Sequence, residues 1–256
     1  MRRIYLDIET APTLSYHYGR HDLHISPDQV LTSDFILCFQ YAIDDGPVHV
    51  ESLRHIKRPL APKDDKALCA KMVKLLSSAD IIVGHNVKKF DLARLSARLA
   101  AHDMRPFEPK ALVDTLTACR RFFKFEANSL ASVCKELGLE HKGHSGGFET
   151  SLACMMGNQA AWDKLLAYGK QDVVILRQLY NRIKPWIENH PNANLLDPTA
   201  AFQCPRCESD ALAYRGYRYT LVGKYRRFQC NNCGSWGSER KGDMDKEERS
   251  FILRPS

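Results

Sequence analysis

No stretch of the chain approaches the roughly 20 consecutive apolar residues that a membrane-spanning helix requires, which excludes an integral helical membrane protein. Nor is a secretory leader expected: Met1-Arg2-Arg3 runs straight into strand-like sequence with no apolar segment behind the charges. The expectation is an intracellular, cytoplasmic protein with no membrane partner. Internal repeats are absent, so a solenoid or propeller is not expected. What is present is ordinary for a globular chain. With 44% hydrophobic and 26% charged residues, the 256 residues suffice for one large domain or a medium domain plus a small one. The net charge of +7 is compatible with a nucleic-acid partner without requiring one.

The nine cysteines divide into two kinds. Cys38, Cys69, Cys119, Cys134 and Cys154 are scattered among apolar neighbours and read as small core residues. Cys204, Cys207, Cys230 and Cys233 form two C-x-x-C pairs. In a chain without a leader such pairs point to metal, not to disulfides.

Periodicity sets the order of elements. Residues 3–8, 35–43 and 48–53 read as three strands joined as an antiparallel meander, with a polar stretch at 12–33 that has no clear period. Leu68, Met72, Leu75 and Leu76 lie on one helical face. "DIIVG" (80–84) has the wholly apolar character of a strand buried on both sides. A helix over 88–102, a strand at 111–116 running into a helix, and a helix at 128–137 with Asn128 as its cap follow. "LEHKGHSGGFE" (139–149) reads as a loop, and one long helix runs from Gln159 to Trp186, ended or kinked at Pro185. The fold class is α/β, with a mixed sheet flanked by helices. The expected organisation is a catalytic domain at 1–188, an Asn- and Pro-rich linker at 189–199, a small cysteine domain at 200–240 and a charged, mobile tail at 241–256.

The acids carry the chemistry. Asp7 and Glu9 are two apart on a strand, so they share a face about 7 Å apart. Such a pair repels itself unless a cation lies between, or unless the strand is an edge and both acids face water. Asp91 stands in the first turn of a helix, where the dipole favours an acid for no functional reason. Tyr168 and Asp172 are one helical turn apart, and Asp172 abuts the apolar run Val173-Val174-Ile175-Leu176.

Taken in order, Asp7-Ile8-Glu9, then Asn86-Val87-Lys88-Lys89-Phe90-Asp91, then Tyr168-Gly169-Lys170-Gln171-Asp172 resembles the DEDD exonuclease superfamily in its tyrosine branch. That branch includes the proofreading domains of family B DNA polymerases. No histidine stands where the histidine branch would place one relative to Asp172. The resemblance covers about residues 1–187 and implies a ribonuclease H-like fold that removes nucleotides from 3′ ends. In the absence of a polymerase domain, the chain looks like the short stand-alone nucleases, phage or bacterial, that end in a zinc ribbon.

The resemblance also implies a cofactor and roles. Two Mg²⁺ or Mn²⁺ ions would be held by hard carboxylate oxygens. Asp7 would lie between them, Glu9 and Asp172 would hold the ion that activates water, and Asp91 would support the other. Tyr168 would orient the attacking water. Thr10 and Asn86 are candidate substrate contacts, although Asn86 could equally cap the next helix. Lys142 and His144, in a Gly-rich loop, could meet a phosphate or simply be loop residues. His17, His21 and His24 have no metal-ligand spacing and read as a loop beside the site.

The paired cysteines match a zinc ribbon. Four thiolates close a tetrahedral Zn²⁺ shell with no open position, so that metal is structural, and it would stabilise a segment too small to fold on its core alone. No acid occurs from residue 211 to 229. Instead Arg215, Arg218, Lys224, Arg226 and Arg227 alternate with Tyr214, Tyr217, Tyr219, Tyr225 and Phe228. Cations can follow a phosphate backbone while rings stack on bases; they could also merely solvate and pack the ribbon. The leading expectation is a metal-dependent 3′–5′ exonuclease of DNA or RNA with a nucleic-acid-binding ribbon. Its rivals are a structure-selective endonuclease or RNA-trimming enzyme on the same fold, a non-catalytic nucleic-acid adaptor, and a ribbon that recruits replication or repair proteins.

Overall fold

The computed structural model describes residues 1–19, 24–139, 147–196 and 202–253. Lys142, His144 and His21 lie outside these residues. The chain divides into two compact units, Arg2–Asn181 and Arg182–Ser256, the second including Met1. Among the described residues no helix is long and apolar enough to cross a membrane.

The elements of the larger unit follow in chain order: β1 (Arg3–Thr10), β2 (Leu14–Ser15), β3 (Val30–Thr32), β4 (Ile36–Ile43), β5 (Val48–Ser52), α1 (Lys66–Ser77), β6 (Ile81–Gly84), α2 (Asp91–Ala101), β7 (Ala111–Asp114), α3 (Thr115–Phe122), α4 (Leu130–Glu136), α5 (Gly147–Met155) and α6 (Gln159–Ile183). Five strands form one sheet in the order β5-β4-β1-β6-β7. β1, β4 and β5 make the expected antiparallel meander, whereas β6 and β7 continue the sheet parallel to β1. Each parallel step needs a crossover, and α1 and α2 provide them.

This order places β1 at the centre of the sheet. Asp7 and Glu9 are therefore not on a water-facing edge. Ile4, Leu6 and Ile8 point to one side and enter the core with Met72, Leu76 and Leu95. Tyr5, Asp7 and Glu9 alternate with them onto the other side, where Tyr5 meets Tyr180 of α6 edge to face at 5.6 Å. On α6, Trp162, Leu165, Val173, Leu176, Tyr180 and Ile183 are buried, as their spacing predicts. The helix stops at Ile183 in a 3-10 turn containing Pro185. All five scattered cysteines are buried.

Several local expectations are corrected. α4 is capped by Ser129, whose hydroxyl accepts the N–H of Ser132, not by Asn128. α2 begins at Asp91, and Asn86 is not its cap. The supposed loop ends at Gly147, where α5 begins. Residues 12–33, read as aperiodic, include the short β2–β3 ladder. Each miss involves a span of a turn or less, too short to show a period.

The smaller unit contains α7 (Ala193–Leu196), β8 (Leu212–Tyr219), β9 (Lys224–Cys230), β10 (Trp236–Ser238) and α8 (Lys246–Ser250). The three strands form an antiparallel sheet in the order β10-β9-β8. The stretch read as a linker has its own hydrogen bonds within this unit: Ala193 N–H to Pro205 O at 2.8 Å and Asn194 Nδ2 to Gln203 O at 2.8 Å. The charged tail carries an ordered turn, α8, capped by Asp245, which accepts the N–H of Glu248 at 2.8 Å.

Candidate active site and cysteine centre

Three elements bring the four acids together. β1 presents Asp7 and Glu9, the first turn of α2 presents Asp91, and α6 presents Asp172 one turn after Tyr168. Asp91 and Asp172 are buried. Asp7 is half-buried, yet its Oδ2 is closed to solvent and has no hydrogen-bond partner. The parallel register between β1 and β6 runs as far as Tyr5 opposite Val83. Beyond it, Asp91 Oδ1 accepts the N–H of Ile8 at 3.1 Å, which fixes Asp91 against the strand that carries the first two acids.

The electrostatics follow from that crowding. Burial raises the Asp7 carboxyl well above the usual range, and the charges of Asp91, Glu9 and Asp172 raise it further. Glu9 is raised to about 7, by burial and then by Asp172. Asp91 is raised to about 7, again chiefly by burial, with Asp114 and Glu9 adding to it against the opposing backbone hydrogen bonds. Burial and then Asp172, which accepts its hydrogen bond, lift the Tyr168 phenol above its ordinary value. The Asp7 carboxylate, with its enclosed and unpartnered oxygen, feels the charges of the other three acids. Among the described residues no three of these acids offer oxygens within 4.8 Å of one another, but hard carboxylate oxygens are the donor type that Mg²⁺ or Mn²⁺ takes.

Two residues missing from the sequence reading shape this site. Gln40 lies opposite Asp7 in the β1–β4 register, so the two side chains share a face. It is fully buried, and its Nε2 contacts Cys38 Sγ at 3.2 Å. α6 passes directly over it at Gly169, where a Cβ would fall 2.3 Å from Gln40 Nε2. The missing side chain at 169 lets the helix bring Tyr168 and Asp172 down to the sheet. A polar residue inside the apolar run "FILCFQYAI" was the available signal for Gln40.

The turn before α2 depends on a fifth acid. Asp114, at the end of β7, accepts the N–H groups of Asn86 at 3.1 Å, Lys88 at 3.4 Å and Thr117 at 3.1 Å. It thereby caps α3 and holds the turn that delivers Asp91. Asn86 sits in this turn at φ +69°, a left-handed conformation that asparagine tolerates. Thr10 is at the end of β1, where the register with β4 slips between Glu9 and Thr10.

Elsewhere in this unit Asp65, Cys69 and His102 offer ligand atoms within 4.8 Å of one another. Arg98 already forks onto Asp65 at 2.8 and 3.1 Å, and the N–H of Ile36 reaches it at 2.9 Å. The carboxylate is satisfied, so this cluster is a clasp between α1, α2 and β4.

In the smaller unit the sulfurs of Cys204, Cys207, Cys230 and Cys233 all lie within 4.8 Å of one another. Cys204 and Cys233 are 3.7 Å apart, and Cys207 and Cys230 are 3.6 Å apart. A tetrahedron of Zn–S bonds of about 2.3 Å has edges of about 3.8 Å, so the cluster fits one zinc. Burial raises the Cys207 thiol to about 12; Cys204, against the same burial, is drawn down to about 7 by hydrogen bonds from Ser235 and from the knuckle backbone. Beyond the cluster, β8 and β9 form a hairpin that carries Arg215, Arg218, Lys224, Arg226 and Arg227 with the interleaved tyrosines. Trp236 is half exposed, and the Arg227 guanidinium lies 4.8 Å from its ring centre.

A model of the RNase_H superfamily matches residues 32–184, more than half of the chain. The match begins after β1, which carries Asp7 and Glu9. No curated protein shows a significant similarity to the chain. A solved structure similar to it is the family B DNA polymerase from the hyperthermophilic archaeon Pyrobaculum calidifontis, with 17% sequence identity and a TM-score of 0.49. That similarity covers 72% of this chain and 25% of the polymerase, so the chain spans only a part of the polymerase's length. With its mixed five-stranded sheet flanked by helices and its matched residues 32–184, the chain belongs to the ribonuclease H superfamily.

Proposed function

We propose that this chain is a metal-dependent 3′–5′ exonuclease of the tyrosine-type DEDD group, in which residues 1–188 hydrolyse phosphodiester bonds and a zinc ribbon at 200–240 helps to hold the nucleic acid. The observation that carries the reading is the convergence of Asp7, Glu9, Asp91 and Asp172 around an enclosed, unpartnered carboxylate oxygen.

Asp7, Glu9, Asp91 and Asp172 would hold two Mg²⁺ or Mn²⁺ ions. Such a pair, when bound, eases deprotonation of water and neutralises charge on the leaving 3′ oxygen. The remaining chemistry belongs to this chain. Glu9 and Asp91, at about 7, and Asp7, raised well above its usual range, all hold protons that a cation would have to displace, so binding would favour higher pH. Tyr168 keeps its proton at any working pH, and its hydrogen bond to Asp172 fixes its ring beside the acids. It can therefore place a water by hydrogen bonding without becoming an anion. Asn86, in the turn before α2, and Thr10, at the end of β1, would meet the terminal nucleotide.

The test is a digestion time course on 5′-labelled single-stranded DNA and RNA of one sequence, in Mg²⁺ or Mn²⁺, beside an Asp7→Asn control. A ladder that shortens from the 3′ end and is absent in the variant supports the proposal. Internal cuts would replace it with an endonuclease, and intact strands with retained binding would replace it with an adaptor.

A further inference from the structure

The ribbon hairpin has two unlike faces. Residues directly opposite in an antiparallel ladder project to the same side. The register pairs Leu212 with Cys230, Tyr214 with Phe228, Tyr217 with Arg226 and Tyr219 with Lys224. One face therefore runs from the cysteine cluster outward as an apolar base, Leu212 and Phe228, and then as an alternation of tyrosines and cations. Phe228 is buried, its ring lying across Gly237. Tyr214 and Tyr217 are 41% and 37% exposed, and Tyr219 at the tip is 70% exposed.

The register itself is engineered by a bulge. Arg215 and Gly216 stand opposite the single residue Arg227, and Gly216 takes φ +72°, as a bulge of this kind requires. Without that extra residue, Tyr214 and Tyr217, three apart in sequence, would point to opposite faces. With it, three rings share one face. The cations are held over the rings: Arg226 Cζ is 4.1 Å from the centre of Tyr214, and Lys224 Nζ is 4.2 Å from that of Tyr217. At the base of this face two acids, Asp210 and Glu239, line a hollow with Leu212, Tyr214 and Arg226, and Glu239 accepts the Tyr214 hydroxyl at 2.7 Å. Neither strand of the hairpin carries an acid between residues 211 and 229; the backbone of Asp243 meets that of Lys224 at its outer end, N–H to O at 2.8 Å.

We infer that this face, Tyr214, Tyr217 and Tyr219 with Lys224 and Arg226, is a platform for unpaired nucleic-acid strands, on which bases stack while the cations hold phosphates. The inference deepens the proposed nuclease reading and rests on it. Charge complementarity selects a polyanion. The exposed rings select the strand state, because a duplex turns its base faces inward and offers only groove edges and phosphates, whereas an unpaired base offers a whole face to an aromatic ring. The spacing agrees. The Tyr217 and Tyr219 centroids are 6.3 Å apart, nearly twice the stacking step of about 3.4 Å per nucleotide in a duplex. Bases set on successive rings are thus splayed from one another. Stacking on a ring is tolerant of sequence, because every base has a face to offer.

The test uses the full chain with Asp7→Asn as a background that leaves the probe intact. Binding of a fluorescein-labelled single-stranded oligonucleotide and of the blunt duplex of the same sequence is followed by anisotropy across a salt series. The single strand is expected to bind more tightly than the duplex. Tyr217→Ala with Tyr219→Ala is expected to weaken single-strand binding by roughly 5- to 150-fold per ring and duplex binding far less, while Phe at both positions keeps most of the affinity. Lys224→Gln is expected to flatten the single-strand salt slope by about 0.7. Zinc content measured on each variant verifies that the ribbon is intact. Equal affinity for both probes, or alanine variants that retain zinc and bind like the parent, overturns the inference. The chain with Asp7 in place is assayed separately on the p-nitrophenyl ester of thymidine 5′-phosphate, too small to reach along a hairpin. Turnover there with ring-independent strand binding sinks the platform alone; ring-dependent strand binding without turnover sinks the nuclease reading alone.

Discussion

Replacing Glu9 by Gln should stabilise the metal-free protein and cripple it as a nuclease. The Glu9 carboxyl is raised from 4.5 to about 7, by burial first and by the charge of Asp172 second. A raised carboxyl means that the fold holds this proton more tightly than the unfolded chain does. Its contribution to stability is complete below about pH 4.5 and is lost as pH rises through 7. At pH 8 the ionised side chain thus costs the fold at most about 3 kcal/mol, at about 1.4 kcal/mol per unit; partial access of water to Glu9 makes this a ceiling. Gln keeps the shape and removes the charge. In buffers freed of divalent ions by resin, the variant should melt higher at pH 8 by up to roughly 6–12 °C, from about 2–4 °C per kcal/mol for a unit of this size. Near pH 4.5 the two proteins should melt together. Scanning calorimetry at both pH values reads the difference. Cleavage in Mn²⁺ should fall on the order of a thousandfold, since a lost ligand forfeits several kcal/mol of charge stabilisation. Equal melting at pH 8, or a gain that persists unchanged at pH 4.5, would refute the reasoning, because the benefit must vanish once Glu9 is protonated.

The same site should make Mn²⁺ affinity rise steeply between pH 6 and pH 8, because cations compete with protons at Glu9 and Asp91, both near 7; titration calorimetry at three pH values would show a flat profile if the acids do not bind the metal. Asp114→Ala should cost about 1–2 kcal/mol by removing the cap of α3 and the acceptor for the N–H groups of Asn86 and Lys88, and should reduce kcat through a displaced Asp91; denaturant melts and initial rates test both. Gly169→Ala should lose about 1–3 kcal/mol from overpacking against Gln40, and Gln40→Ala in the same chain should recover part of it, an interaction that a double-mutant cycle measures. Cys207→Ser should lower the zinc content and open the ribbon to protease between residues 204 and 239, while the melting of the sheet unit stays in place.

How much of this was legible in the sequence depends on the range of the interaction. The alternation of Ile4, Leu6 and Ile8 against Asp7 and Glu9 is a local property, and it assigned the acids to one face of a strand. Whether that strand lay at an edge or at the centre is decided by pairings with residues 36–43 and 81–84, which no local pattern contains. The two C-x-x-C pairs were readable because metal geometry is encoded in the spacing itself. Ser129 in place of Asn128 as a cap was a slip of one residue, within the range where two adjacent polar side chains compete for the same N–H groups. Asp114 was hidden by its neighbours: as the last residue of a strand and the cap of the next helix it has an ordinary local role, and its hold on Asn86 and Lys88 spans 28 and 26 positions.

Gly169 marks the limit of motif reading most clearly. The pattern Y-x-x-x-D registers a ring and an acid one turn apart, and the residue between them is free to vary in the pattern. In the folded chain it is not free. Asp172 can share a site with Asp7 only if α6 lies close to the sheet, and at Gly169 the helix meets the side chain of Gln40, the residue opposite Asp7. A side chain at 169 would lift the helix, and with it both Tyr168 and Asp172, away from β1. On the proposed reading the acids supply the chemistry, but their convergence depends on a glycine that carries no charge. A substitution at Gly169 should therefore weaken metal binding without changing any of the proposed ligands.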